Sequence, residues 1–372
     1  MNRTSFRTAA VPTVAAVALG LGLSACAAGN EGGGASSSAA PASSSKLSGT
    51  LNGAGSSAQE AAQAAWQSGF QSANPDVTVN YDPVGSGGGR EQFLAGGVDF
   101  AGSDSYLSDE ELAASKKVCN GQTALEVPNY VSPIALVYNV PGVDKLKLSA
   151  RTTAMIFAGK VTRWNDPAIQ AENRGADLPG DRIVPVHRSD DSGTSKNFTE
   201  WLSKAGQGAW KHEPDSLWPI KGGEGAQGTS GVIQAVTNGK GTIGYADESQ
   251  AGTLSVASIK VGSSYVAPSA QAAARVLDVS ERVSGRPAND VAVDIDRTTT
   301  KSGAYPLILT SYVIACPSYD DQAKANLVKS YLGYLLSSDG QAAAAKAAGS
   351  APLSSSLSSG VVAVADKIGS TS

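Results

Sequence analysis

Histidine is nearly absent from this chain, which has two histidines, His187 and His212, among 372 residues. Neither lies near a cysteine at the spacing of a zinc site, so we expect no metal centre. A serine hydrolase needs a histidine to activate its nucleophile, and the chain also lacks the Gly-x-Ser-x-Gly motif common among hydrolases. We therefore predict a protein that is not an enzyme and that needs no cofactor.

An excess of positive charge is also absent. Lysine and arginine number 29 against 33 acidic residues, for a formal net charge of −4. Two of the arginines, Arg3 and Arg7, lie in the first 25 residues, which contain no acid, so the rest of the chain is more acidic still. An acidic protein is a poor ligand for nucleic acid, and we expect no such partner. Any anion site must then rely on local dipoles and one or two cations.

The most apolar segment near the N-terminus covers residues 9–23 and is too short to span a bilayer as a stable anchor. It follows Arg3 and Arg7 and ends in the sequence LSAC, which resembles the bacterial lipobox. The resemblance implies that residues 1–26 are a lipoprotein signal peptide and lipobox, with Cys26 as the lipidated first residue of the mature chain. An ordinary signal peptide with an unrelated cysteine is the alternative.

Residues 27–46 are rich in glycine, alanine and serine and have too little apolar surface to fold. We interpret them as a flexible tether between the lipid on Cys26 and a folded domain. Several acyl chains hold a protein firmly to a bilayer. The sequence therefore predicts a protein anchored to the outer face of the cell membrane rather than spanning it.

The two other cysteines, Cys119 and Cys316, form an even pair in a compartment that permits oxidation. Cys119 precedes one long apolar segment and Cys316 ends another. We predict a disulfide between them, and two buried free thiols remain the alternative.

The folded part has about 325 residues, more than one hydrophobic core usually serves, so two domains are expected. Strand and helix patterns alternate along its first part, which predicts an α/β fold with parallel sheets between helices. Two capping-box patterns, Ser57 with Glu60 and Ser108 with Glu111, predict helix starts.

Two long β-rich segments, residues 125–140 and 307–316, are best interpreted as strands that cross between the domains. The first domain is then discontinuous. We expect lobe I to comprise residues 47–132 plus 311–372, and lobe II to comprise residues 133–310.

Glycine-rich segments with hydroxyl or charged side chains recur along the chain. Backbone N–H groups freed by glycine, Ser/Thr hydroxyls, helix starts and one arginine together provide what a tetrahedral oxyanion requires. The segments are GAGSS (53–57), GSGGG (85–89), GSD (102–104), HRSDDSGTS (187–195) and GGEGAQGTSG (222–231).

In this order the segments resemble the substrate-binding protein of the bacterial phosphate ABC importer, over about residues 47–357. The resemblance rests most on RSDDSGTS (188–195), together with GAGSS (53–57), GSGG (85–88), VDFAGSD (98–104), FAGKVTRWND (157–166), GTIGY (241–245) and AYPL (304–307). It implies a two-lobed periplasmic-binding-protein-like fold of type II. Each lobe would be a central β-sheet flanked by helices, and two crossing strands would act as the hinge. It also implies binding of inorganic phosphate, delivery to membrane permease subunits, and a monomer.

The matching positions imply a ligand set drawn from both lobes, with Ser56 and Asp190 in supporting roles. Ser57, Ser86 and Asp104 would come from lobe I, and Arg188, Ser192, Gly193 and Thr194 from lobe II. Arginine can bind two phosphate oxygens as a fork, and Asp190 would orient it. This chain has Ala58 and Gln59 where the family usually has an aromatic residue and proline.

The predicted acceptor, Asp104, gives the sharpest chemical expectation. A carboxylate facing an anion is repulsive unless the anion carries a proton to share, as phosphate does and sulfate at neutral pH does not. Three alternatives stay open: a binding protein for another oxyanion such as sulfate or molybdate, a secreted hydrolase, and an adhesive or sensory domain with a vestigial cleft. For residues 222–231 we expect a role at the edge of the cleft rather than direct contact.

Overall fold

The computed structural model describes residues 46–370. The predicted signal peptide, Cys26 and nearly all of the predicted tether lie outside them. The strands are β1 (Gly49–Gly55), β2 (Val77–Asp82), β3 (Phe100–Ser103), β4 (Leu125–Asn139), β5 (Lys147–Leu148), β6 (Val184–Arg188), β7 (Glu224–Ala226), β8 (Thr242–Asp247), β9 (Ser255–Val256), β10 (Ser258–Val261), β11 (Ser264–Val266), β12 (Glu281–Arg282), β13 (Val293–Asp294), β14 (Ile308–Ala315), β15 (Ser318–Tyr319) and β16 (Gly369–Ser370).

Helices follow most of the long strands, as the alternating sequence pattern predicts. They are α1 (Glu60–Ala73), α2 (Ser86–Leu94), α3 (Asp109–Ser115), α4 (Ala150–Phe157), α5 (Pro167–Glu172), α6 (Gly193–Ala205), α7 (Gly228–Asn238), α8 (Ala270–Leu277), α9 (Gln322–Leu336), α10 (Ser338–Ala348) and α11 (Ser355–Ala365), with a 3₁₀ turn at Glu248–Gln250. Within the described range, no helix is both long and apolar enough to cross a bilayer.

The two capping-box predictions have opposite outcomes. Ser108 and Glu111 form the full reciprocal box at the start of α3, as predicted. The box at Ser57 and Glu60 was predicted wrongly, because α1 begins only at Glu60 and its N-cap, Gln59, makes no side-chain capping bond. The Ser57 hydroxyl is instead used in a contact with a distant helix, described below.

The main sheet has nine strands in the order β2-β1-β3-β14-β4-β8-β6-β7, with β9 also paired to β4. Its two ends are parallel: β1 pairs with β2 and β3, and β6 pairs with β7 and β8. The middle is antiparallel, since β14 pairs with β3 and β4, and β4 pairs with β8. The expectation of parallel sheets is therefore correct for the ends of the sheet and wrong for its centre.

Strand β4 connects the two parallel ends. Its first part, from Leu125 to Pro133, pairs with β14, and its second part, from Ile134 to Asn139, pairs with β8. Nearly every residue of β4 and all of β14 are buried, and the helices α7, α8, α10 and α11 pack against β4. The two long apolar segments of the sequence are thus the central strands of the sheet. The division into two lobes stays a prediction.

A disulfide and a buried hydrogen bond join parts of the described chain that are far apart in sequence. The structure joins Cys119, just after α3, to Cys316, just after β14, in a disulfide that links positions 197 residues apart. Trp66 of α1 is fully buried and donates from its ring nitrogen to the Gly340 carbonyl of α10, 2.7 Å away. The C-terminal helices therefore pack against the first elements of the chain.

Candidate functional site

The candidate site lies where the loops after β1, β3 and β6 meet. β1 and β3 are parallel neighbours, so their carboxyl ends lie at the same edge of the sheet. Loops at this edge commonly form ligand sites in α/β proteins. The loop after β1 carries Ser56 and Ser57, and Asp104 directly follows β3.

Arg188 ends β6 and is almost completely buried. Its Nε donates to Asp190 Oδ1 at 2.8 Å, and its Nη2 donates to Oδ2 at 2.5 Å. Burial by itself would raise the pKa of Asp190. The hydrogen bonds from Arg188 and from the Gly228 N–H, with the charge of Arg188, outweigh this effect and hold the pKa below its usual value. Asp190 thus contacts the guanidinium through Nε and Nη2, and Nη1 stays outside this ion pair.

Asp104 is buried and surrounded by hydrogen-bond donors. Its Oδ2 accepts from the Thr194 hydroxyl at 2.9 Å, and its Oδ1 accepts from the Ser311 hydroxyl. Its backbone carbonyl accepts from Asn197 Nδ2 at 2.6 Å. A carboxylate with two hydroxyl donors is held in one orientation.

The N-terminus of α6 is directed at Asp104. Ser192 caps the helix by accepting from the Ser195 N–H at 3.1 Å, and Gly193 and Thr194 form its first turn. A Cβ on Gly193 would lie 2.6 Å from Ser86 Oγ and 2.8 Å from Asp104 Cβ. Only glycine allows this close approach, which brings the segment 187–195 against both GSGGG (85–89) and GSD (102–104).

The segment GSGGG is helical and not a loop, because α2 begins at Ser86. Gly85, just before it, has φ +100°, a conformation that favours glycine. Ser86 Oγ accepts from the Asp104 N–H at 3.1 Å. The N-termini of α2 and α6 therefore both lie against Asp104. Two helix starts at one point favour an anion.

Ser57 belongs to a second group of contacts, which lies at the start of α7. Its hydroxyl lies 3.0 Å from the Thr229 hydroxyl and accepts from the Thr229 N–H, also at 3.0 Å. Gln250 Nε2 donates to the Ser57 carbonyl at 2.8 Å. Thr229 follows Gly228, whose N–H donates to Asp190 at 3.1 Å. Ser57 is therefore connected to Arg188 through α7 and Asp190.

Ser56 makes two hydrogen bonds with its neighbours in the site. Its hydroxyl accepts from the Ala58 N–H at 3.1 Å, and its carbonyl accepts from the Tyr81 hydroxyl at 3.0 Å. Burial, with the nearby charge of Asp104, raises the pKa of Tyr81 well above its usual value, so this hydroxyl stays a proton donor.

Several residues of the site were not found from the sequence. Residues 222–231 were expected at the edge of the cleft without direct ligand contact, and the structure adds that Thr229 contacts Ser57. Asn197 lies one helical turn after Gly193, a spacing that could have indicated it. Ser311 is a small polar residue inside an apolar strand, which is a weaker signal. The Tyr245 hydroxyl lies 2.6 Å from Ser195 Oγ, and either oxygen can be the donor. The same hydroxyl accepts a hydrogen bond from the Arg188 N–H at 3.2 Å.

The predicted residues thus converge. Ser86, Asp104, Gly193 and Thr194 are in direct contact, and Ser57 and Arg188 are joined to each other through Thr229, Gly228 and Asp190. The arrangement offers hydroxyls, two helix N-termini, one guanidinium and one carboxylate acceptor. It suits a tetrahedral anion that also carries a proton. Across residues 46–370, no three His, Cys, Asp or Glu side chains are grouped so that they could hold a metal ion.

The chain is similar to a known protein family and to individual proteins named as phosphate-binding proteins. The model of the PBP superfamily domain matches residues 40–339. The chain is 39% identical over 268 residues to phosphate-binding protein PstS 3 of Mycobacterium tuberculosis strain H37Rv, covering 70% of this chain and 72% of that protein. It is 36% identical over 266 residues to phosphate-binding protein PstS 2 of the same organism, covering 69% and 71%.

Among solved structures, the phosphate-binding protein from Stenotrophomonas maltophilia has a TM-score of 0.68 at 21% identity. The match covers 85% of this chain and 93% of that one. At this level of identity, the structural similarity shows the fold alone. It confirms the predicted α/β fold of periplasmic-binding-protein type.

Proposed function

The chain belongs to the PBP superfamily and, within it, to the PstS family of phosphate-binding proteins, and on that premise we propose that it binds inorganic phosphate and delivers it to a membrane ABC importer. The resemblance found in the sequence motifs is thereby confirmed at the level of the family. The ligand residues that we propose are Ser57, Ser86, Asp104, Arg188, Ser192, Gly193 and Thr194, with Ser56 and Asp190 as their supports.

The single observation that best supports phosphate is the setting of Asp104. It is a buried acceptor among donors, 2.9 Å from the Thr194 hydroxyl and next to the first turns of α2 and α6. A monoprotonated or diprotonated phosphate satisfies both the donors and the carboxylate. Sulfate satisfies the donors but leaves the carboxylate facing an anion without a proton, which is costly in a buried site.

We propose that ligand binding favours a closed form of the protein. The proposed ligands come from both parallel ends of the sheet, which β4 and β14 connect. An anion that contacts both groups binds the closed form better and shifts the equilibrium toward it. The Gly87 N–H, which donates to the Asp191 carbonyl at 3.0 Å, and the Ser57–Thr229 contact would be closure contacts of the same kind. The permease subunits would then recognise the closed form.

We propose that the protein acts outside the cytoplasm, attached to the outer face of the cell membrane through lipid on Cys26, with residues 27–46 as the tether. The lipobox-like sequence and the low-complexity composition of the tether support this. We also propose that the protein is a monomer that binds without catalysis. The scarcity of histidine and the names of its relatives as binding proteins support the absence of catalysis.

Calorimetric titration of the purified chain with phosphate, arsenate and sulfate tests the proposal. We expect tight binding of phosphate and far weaker binding of sulfate. Asp104→Asn should reduce the preference for phosphate over sulfate by at least about tenfold, since the acceptor for the anion's proton becomes an amide. The exposed Asp177, changed to Asn, is the matched control and should leave both affinities unchanged. Equal binding of phosphate and sulfate by the unmodified protein would refute the proposal.

A further inference from the structure

Ser311 lies opposite Asp104 at the point where β3 ends. In the antiparallel pairing of β14 with β3, Tyr312 faces Ser103 and Val313 faces Gly102. Continuing this register by one residue places Ser311 opposite Asp104. Opposed residues of an antiparallel pair bring their side chains within contact distance. The hydrogen bond from the Ser311 hydroxyl to Asp104 Oδ1 is therefore built into the central strands of the sheet.

A bulge adjoins this position on the other side of β14. Ser311 pairs with Tyr130 of β4, whereas Tyr312 pairs with Pro128, so Asn129 is the extra residue. Bulges change the direction of neighbouring side chains and are frequent beside functional sites. The bulge and the end of β3 coincide at Ser311.

Asp104 has two hydroxyl donors, but they differ in what else they can do. Thr194 belongs to the proposed ligand set, and a hydroxyl has one proton, so Thr194 cannot donate to Asp104 and to a bound anion at once. Ser311 is fully buried in β14 and has no place in the ligand set. When an anion binds, Ser311 is the donor that stays on the carboxylate.

We propose that Ser311 is a specificity-determining residue, which holds Asp104 Oδ1 so that Oδ2 is left to accept the proton of a protonated oxyanion. This inference rests on the proposed phosphate-binding function and extends it to a residue outside the ligand set. The bond fixes the direction of the carboxylate, so that Oδ2 can accept a hydrogen bond from phosphate or arsenate, whereas sulfate has no proton to offer it.

The test is to measure the dissociation constants of phosphate and arsenate, and the sulfate concentration that displaces bound phosphate, for the full chain and its Ser311→Ala variant. We expect phosphate and arsenate to bind about tenfold more weakly, because a hydrogen bond to a charged group is lost. Sulfate should bind as well as before, so the phosphate-to-sulfate preference falls by about the same factor. Ser311→Thr keeps the hydroxyl and should restore the preference.

Thr310 provides the matched control. It is the neighbour of Ser311 on β14, it is equally buried, and its hydroxyl has no hydrogen-bond partner among the described residues. Thr310→Val should leave all three affinities unchanged. If Ser311→Ala weakens the three anions in parallel, or leaves the preference unchanged, Ser311 is only structural and the inference is wrong. If the unmodified chain binds none of these anions, the proposed function itself fails.

Discussion

Asp190 lies along one edge of the Arg188 guanidinium, with Oδ1 2.8 Å from Nε and Oδ2 2.5 Å from Nη2. This fork fixes the plane of the guanidinium and leaves Nη1 outside the pair. The Gly228 N–H, 3.1 Å from Asp190 Oδ1, attaches the pair to the start of α7. The one buried cation of the proposed ligand set is therefore positioned before any anion arrives, which lowers the cost of ordering it on binding.

Arg188→Lys should weaken phosphate binding by about 100-fold. Lysine keeps the charge but loses the planar fork that Asp190 orients and the second donor toward the anion. Isothermal titration calorimetry measures the change. Arg151 is exposed on α4, so Arg151→Lys should leave the affinity as it is. An Arg188→Lys variant with unchanged affinity would mean that Arg188 does not contact the anion.

Gly193→Ala should reduce phosphate affinity strongly, by about 100-fold or more, while the protein still folds. Its Cβ would lie 2.6 Å from Ser86 Oγ and 2.8 Å from Asp104 Cβ, so the first turn of α6 would have to move away from the site. Titration with phosphate and a circular dichroism spectrum check the two parts of this prediction.

The control for that change is Gly333→Ala on the exposed face of α9, where an added Cβ meets no atom within 4 Å. A helix interior favours alanine over glycine, so this variant should be more stable by about 0.5–1 kcal/mol and should bind phosphate normally. Normal phosphate binding by Gly193→Ala as well would contradict the close approach of α6 to Ser86.

Asp247, at the end of β8, gives a prediction about pH. It is fully buried, and Tyr130 of β4 donates to its two oxygens at 3.1 and 3.0 Å. Burial raises the pKa of Asp247 to about 7, although bonds from Ser249 and Tyr130 act in the opposite direction. Between about pH 4 and pH 7 the folded chain thus holds a proton that the unfolded chain has released. The contribution of this group to stability is full below about pH 4 and is lost as the pH rises to about 7.

Asp247→Asn removes this titration. The unfolding free energy of the variant minus that of the unmodified protein should increase by about 3 kcal/mol from about pH 5 to pH 8. The reason is that the unmodified protein loses stability over this range and the variant does not. Urea denaturation at the two pH values measures this difference. Asp177→Asn, an exposed change, should show no such rise. A constant difference across the range would show that Asp247 does not hold a proton in the folded chain.

The Cys119–Cys316 disulfide should contribute to stability, since it links positions 197 residues apart. Removing it by changing both cysteines to alanine should lower the unfolding free energy by about 2–5 kcal/mol. Thermal denaturation with and without a reductant provides the check. Reductant should lower the midpoint of the unmodified protein and leave that of the double variant alone. Equal responses of both proteins would argue that the bond adds nothing.

Much of the local structure could be predicted from the sequence because it depends on neighbours along the chain. The capping box at Ser108 and Glu111 and the long central strands β4 and β14 are examples. The predicted box at Ser57 and Glu60 failed because the Ser57 hydroxyl is used by Thr229, a residue 172 positions away. A local pattern cannot show that a distant partner competes for the same side chain.

The sequence by itself determined the family, the kinds of residue in the candidate site and the chemistry that they favour, because short motifs carry those in residue order. The tertiary structure alone decided which groups meet: Ser311 with Asp104, Asn197 with the Asp104 carbonyl, and Thr229 with Ser57. These contacts depend on strand register and on the packing of distant helices. Both result from the folding of the whole chain, so no window of sequence contains them.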